Sequence, residues 1–134
     1  MDAHEYQRAA ASGAVAGLCP STEANLGDGI FEFKTWQNHQ GAWGIGSDSH
    51  IAVNPAEDLM LLEYSQRLSL RQRNVAANER QPDVAQALWQ GAVAGGAQAA
   101  ARPVAGLAVG QAWVAAHSLA VASPQPIEET LSCA

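Results

Sequence analysis

The stretch Trp43-Gly44-Ile45-Gly46-Ser47-Asp48-Ser49-His50 constrains this chain more than any other. Trp43 and Ile45 alternate with two glycines at period two, the pattern of a strand buried in a tight sheet. The glycines remove bulk, so that another backbone or a ligand can approach closely. The run then stops in the polar residues Ser47 to His50. A buried strand that ends this way carries a carboxylate at its C-terminal end. In parallel α/β folds that end bears the chemistry. The expected fold class is therefore α/β.

The flanking sequence supports a βα repeat. Asp2 and Glu5 form a capping-box pair, and Tyr6, Ala9, Ala10 and Gly13 describe a short helix with a glycine stop. A helix so close to Met1 leads us to expect further sequence before it in the natural protein. Ala14 to Cys19 is small and apolar and predicts a buried strand. Pro20 to Gly29, with its glycines, Asn25, Glu23 and Asp28, predicts a long polar loop lining a site. Ile30 to Gln40, bearing Phe31, Phe33 and Trp36, predicts a helix stopped by Gly41. Helix, strand, helix, strand is the order of a parallel sheet.

Asn54 and Pro55 open the strongest helix, as cap and first residue. Leu61, Tyr64 and Leu68 are expected on one face, with Leu59 and Leu62 beside it. The basic end, Arg67, Arg71 and Arg73, suits the helix dipole. A sharper reading has one of these arginines bind a substrate carboxylate or a neighbouring subunit. After a polar break at Asn78 to Pro82, Val84 to Ala101 predicts a last helix. Its Gly91, Gly95 and Gly96 permit close packing, at about 1 kcal/mol each relative to Ala. From Val104 the periodicity is lost. Trp113, Val114, Leu119 and Val121 suit a strand or a frayed end, and Pro124 and Pro126 oppose regular structure.

Composition excludes several classes. The net charge is −6 and no basic run occurs, which argues against a nucleic-acid partner. No apolar run reaches the ~18 residues of a membrane span, and Met1 opens no signal peptide. Cys19 and Cys133 lie far apart, fit no metal spacing and read as reduced cytoplasmic thiols. Charged residues make up 15%, against a usual ~25%, so part of the surface is expected to be covered by more protein.

Three segments carry a resemblance. Ala16-Gly17-Leu18-Cys19-Pro20-Ser21-Thr22-Glu23-Ala24-Asn25-Leu26-Gly27-Asp28-Gly29-Ile30-Phe31 resembles the strand-seven loop of the formimidoylglutamate deiminase family. Trp43 to His50 resembles its strand eight. Leu62 to Leu68, followed by Arg71-Gln72-Arg73-Asn74, resembles the next helix. The likeness runs roughly from Asp2 to Gly110. It implies the C-terminal part of a (β/α)8 TIM-type metal-dependent hydrolase barrel of the amidohydrolase superfamily. Residues 1–103 would be the last βα units, incomplete as a barrel. Residues 104–134 would be an irregular tail in place of the C-terminal β-sandwich segment, because Ala112 to Ala134 does not resemble the family.

The implied reaction is hydrolysis of N-formimino-L-glutamate to N-formyl-L-glutamate and ammonia in histidine degradation, with one zinc ion. Asp48 matches the strand-eight aspartate that binds zinc, takes a proton from the metal-bound water and passes it to the departing nitrogen. Such roles agree with the chemistry of zinc-bound water and of a carboxylate shuttle. Asn25 and Glu23 are expected to hydrogen-bond substrate or to order the loop. His50 is expected to point into the same cavity as Asp48, since same-face strand positions lie two apart. The family further implies a small-molecule substrate, a cytoplasmic location and a homodimer for the complete enzyme.

The departures from the family are as informative. Zinc in this superfamily also needs a His-X-His pair and two further histidines, and none has a counterpart here. His4, His39 and His117 read as surface residues. A complete barrel needs at least ~200 residues, and one ligand does not hold zinc with useful affinity. The chain alone is therefore expected to be inactive. Two other readings stand beside this one: part of another amidohydrolase such as a guanine deaminase, or a non-catalytic piece that docks on a full-length barrel. The string Glu23-Ala24-Asn25-Leu26-Gly27-Asp28-Gly29 favours the deiminase.

Overall fold

A computed structural model describes residues 1–102. The expectations for Val104 to Ala134, including Trp113, His117 and Cys133, lie outside the described residues. The described elements are α1 (Ala3–Ala11), β1 (Val15–Leu18), α2 (Pro20–Leu26), α3 (Phe33–Asn38), β2 (Ala42–Ile45), α4 (Pro55–Leu70) and α5 (Val84–Ala99).

The two strands pair in parallel, with Val15 opposite Ala42 and Leu18 opposite Ile45. The Gly46 N–H donates to the Leu18 carbonyl at 2.9 Å and carries the ladder one step further. Both strands therefore end side by side at one edge. The capping box of α1 forms as expected: Asp2 accepts from the Glu5 N–H at 2.8 Å, and Glu5 accepts from the Asp2 N–H at 2.6 Å. Gly13, with φ of 77°, turns the chain into β1.

The segment from Pro20 is not the expected loop. It is helix as far as Leu26, closed by Gly27 in the left-handed region. Pro20 pre-sets the first turn, and Glu23 reaches back to accept the Cys19 N–H at 2.7 Å. The next helix, α3, is shorter than the predicted Ile30–Gln40. The Phe31 carbonyl accepts from the Phe33 N–H and from the Gln66 side chain, both at 2.7 Å, which holds Phe31 outside the helix. At the other end Trp36 lies over Gly41, where a Cβ would overlap the indole.

The core gathers Tyr6, Leu18, Phe33, Trp36, Trp43, Leu59, Leu62, Ala76 and Leu88. Phe33 meets Trp43 edge-on, with centroids 4.9 Å apart. Helix α4 buries a different face from the one expected. Tyr64 is 50% and Leu68 81% exposed, whereas Asp58, Leu59, Leu62, Glu63 and Gln66 are buried. The apolar pattern misleads because three of the five buried residues are polar. Glu63 accepts the Val75 and Ala76 N–H groups at 2.9 and 3.0 Å and the Arg67 Nε–H at 2.7 Å. The carbonyls of Val75 and Ala76 accept from Lys34 and Gln37 of α3. This buried, non-repetitive segment thus has all four of its backbone polar groups paired to side chains.

Helix α5, capped by Asp83 through the Gln86 N–H, lies directly on β2. A Cβ on Gly95 would overlap the Trp43 carbonyl, and one on Gly91 would come within 2.7 Å of the Trp43 ring. The close packing expected of these two glycines is present. Gly96 differs, since a Cβ there meets open space. Gly95→Ala is therefore expected to destabilise the chain by about 2 kcal/mol or more. Gly96→Ala is expected to stabilise it by up to about 1 kcal/mol through helix propensity. Urea unfolding followed by tryptophan fluorescence checks both, and equal effects at the two positions would contradict the packing described.

Candidate functional site

The parallel register brings the residues after β1 and after β2 to one edge. Cys19 follows Leu18 there, and Gly46 and Ser47 follow Ile45; a Cβ on Gly46 would lie 3.7 Å from the Cys19 Sγ. Helix α2 starts at this edge and is held by its first turn. The Ser21 N–H donates to Asp58 at 3.1 Å, and the Ser21 hydroxyl donates to the same oxygen. Thr22 is buried and donates its hydroxyl to the Ser47 carbonyl at 3.0 Å. These contacts fasten α4 to α2, and α2 to the end of β2.

Asp48 sits in the turn that follows, closed by the His50 N–H donating to the Ser47 carbonyl at 3.0 Å. It is exposed and has φ of 47°, in the left-handed region that Asp tolerates better than most residues. The position of His50 corrects the sequence reading. The strand ends at Ile45, so period two does not extend to residues 48 and 50. His50 instead turns its ring onto the backbone two residues on, with Nδ1 3.2 Å from the Ala52 nitrogen and 3.4 Å from the Ala52 carbonyl oxygen.

Asn25 and His50 do come together. With Thr22, Ser49, Ile51 and Ala52 they line an open hollow of ≈ 390 Å³. Glu23 does not line it. Its carboxylate clips the Cys19 N–H, and the residue lines a separate hollow with Phe31, Leu61 and Leu62. The arginines are placed by local needs. Arg67 pairs with Glu63 at 2.7 Å and lies over the Tyr64 ring at 5.4 Å. Arg71, with φ of 55°, ends α4 and is exposed, as is Arg73. His4 and His39 are exposed, as expected.

Negative charge converges on Cys19. Burial pushes its thiol above the ordinary range, and the carboxylates of Asp48, Glu23 and Asp58 add to the shift in that order, against a lowering backbone hydrogen bond at Gly46. No group of three or more His, Cys, Asp and Glu residues is placed to hold a metal among the described residues. Glu23 and Asp58 are engaged by backbone and hydroxyl donors, and burial and the surrounding carboxylates disfavour the Cys19 thiolate. Asp48 remains as a single donor, so these residues do not make a zinc site by themselves. Thr22 and Asp58 escaped the sequence reading. Thr22 looks like part of a loop, and Asp58 like an ordinary acidic residue in a helix's first turn.

No protein-family model matches the chain. It is 51% identical over 110 residues to the formimidoylglutamate deiminase of Pseudomonas aeruginosa, a match covering 82% of this chain and 24% of that protein. It is similar in structure to the amidohydrolase from Brucella melitensis, with a TM-score of 0.70 and 47% identity, over 72% of this chain and 21% of that one. The resemblance read from the residues is thus borne out over most of this chain. The matched stretch spans 24% of the first relative's length and 21% of the second's.

The charge around Cys19 has a measurable consequence. A raised pKa means less thiolate at pH 8, hence slow alkylation. In a Cys133→Ser background, Cys19 is expected to react with iodoacetamide more slowly than a free thiol. Asp48→Asn removes one of the negative charges and should speed the reaction a few-fold at that pH. An unchanged rate would place the Asp48 carboxylate away from Cys19.

Proposed function

We propose that a chain so similar to one stretch of a formimidoylglutamate deiminase is part of an amidohydrolase-type hydrolase, and that it supplies the acid-bearing strand end of that enzyme's site. The observation that carries this reading is the placement of Asp48. It stands on a turn at the C-terminal edge of a parallel strand pair, where α/β enzymes keep their reacting groups.

The proposed reaction of the complete enzyme is hydrolysis of the formimino group of N-formimino-L-glutamate, giving N-formyl-L-glutamate and ammonia. Asp48 is the proposed metal ligand on this chain, and the remaining donors of a zinc site would come from sequence outside it. Zinc, when bound, lowers the pKa of its water toward 7. Asn25 and His50 are the proposed substrate contacts, since they share one hollow beside the strand end. Glu23 acts with them through the α2 start that it holds closed. No helix among the described residues is long and apolar enough to cross a membrane. The proposed setting is the cytoplasm, with the complete enzyme a homodimer. The deiminase relative, at 51% identity, favours this reading over a guanine deaminase.

Two measurements test it. The 134-residue chain alone is expected to release no ammonia from N-formimino-L-glutamate above background. A chimera, in which this chain replaces the matched stretch of the Pseudomonas aeruginosa enzyme, is expected to load zinc and turn the substrate over. Asp48→Asn in that chimera should lower kcat by about 10³-fold. A folded, zinc-loaded chimera without turnover, or an Asp48→Asn variant at full rate, would overturn the assignment.

A further inference from the structure

Asp48 hangs from an exposed turn, so the backbone that carries it sets where its carboxylate goes. That backbone is pinned at one atom. The Ser47 carbonyl accepts from the His50 N–H at 3.0 Å and from the Thr22 hydroxyl at 3.0 Å, which uses both of its lone pairs. The carbonyl shares its peptide plane with the Asp48 nitrogen, so holding the oxygen holds the plane from which the left-handed φ of Asp48 starts. A non-glycine residue keeps such a conformation only where its surroundings over-determine it.

Thr22 is itself fixed. It is 4% exposed in the first turn of α2, next to Ser21. Ser21 donates twice to Asp58, which is 3% exposed on α4. A path of hydrogen bonds and covalent links therefore runs from α4 through Asp58, Ser21 and Thr22 to the Ser47 carbonyl. We propose that Thr22 is a positioning residue for Asp48, acting through the Ser47 carbonyl, with Asp58 and Ser21 anchoring it to α4. The inference rests on the reading of Asp48 given above.

The test replaces Thr22 by Val, which matches its shape but lacks the hydroxyl donor, and by Ser, which keeps the donor. In the chimera, Thr22→Val is expected to lower kcat by about tenfold or more, with KM within about twofold and zinc content unchanged, because small misplacements of a reacting group cost rate rather than binding. Thr22→Ser is expected to restore most of the loss. In the 134-residue chain, Thr22→Val should speed amide hydrogen exchange at His50, whose N–H shares the carbonyl, and Thr22→Ser should not. Wild-type kcat in Thr22→Val beside a dead Asp48→Asn would overturn the positioning role and leave the role of Asp48 intact. Full activity in Asp48→Asn would remove the reading beneath both. Should Thr22→Val spoil folding or zinc loading of the chimera, unchanged exchange at His50 in the 134-residue chain would still overturn the proposal.

Discussion

The closeness of α5 to β2 governs the rest of the structure. Two strands alone make a marginal sheet in water. Here the pair is held because Gly95 lets a helix backbone rest against the backbone of Trp43, where any side chain would hold the two apart. The Trp43 ring then passes over Gly91 on that helix and meets Phe33 of α3 edge-on. One residue of the strand thereby joins two helices. The edge where Cys19, Ser47 and Asp48 gather takes its geometry from that junction, because the register of β1 against β2 decides which residues follow each strand side by side.

What could be read from the sequence was local. The capping box at Asp2 and Glu5, the Asn54–Pro55 start of α4 and the glycine-alternating strand at Trp43 each act within a few residues, and each is in place. Helix α2 has local signals in Pro20, Glu23 and Gly27, but the contacts that dock it are distant. Ser21 meets Asp58 37 positions away, and Thr22 meets Ser47 25 positions away. The face of α4 was misread because amphipathic reasoning looks for apolar residues inside, whereas Asp58, Glu63 and Gln66 are inside and each has partners. For the candidate site, the place of Asp48 just after a strand could be read from the sequence, whereas the burial and long-range contacts of Thr22 and Asp58 could not.

Buried polar groups are tolerable only when paired, and among the described residues no buried side-chain nitrogen or oxygen lacks a hydrogen-bond partner. Glu63 is the clearest case. A buried carboxylate is costly by itself, yet here it closes on two backbone N–H groups and Arg67 and so fixes the path of residues 75 and 76 between α3 and α4. This gives a physical account of one part of the family resemblance. Glu63, Gln66, Arg67 and Asn74 belong to the third resembling segment, and they serve this internal docking, with Arg67 also 3.5 Å from the Asn74 side chain.

The contact between α5 and the start of the sheet also has a bearing on how such a chain is made. Gln98, near the end of α5, donates to the carbonyl of Gly13, 85 positions earlier and just ahead of β1. On a ribosome, β1 and β2 are synthesised well before that helix exists. Contacts of such long sequence separation form late and slowly. Until α5 arrives, the Trp43 strand has no cover on the side that Gly91 and Gly95 will occupy, and nascent chains in that state are prone to mispair. The separation of α5 from the strands it covers thus sets an interval during biosynthesis in which a chaperone or a slow stretch of translation would matter most.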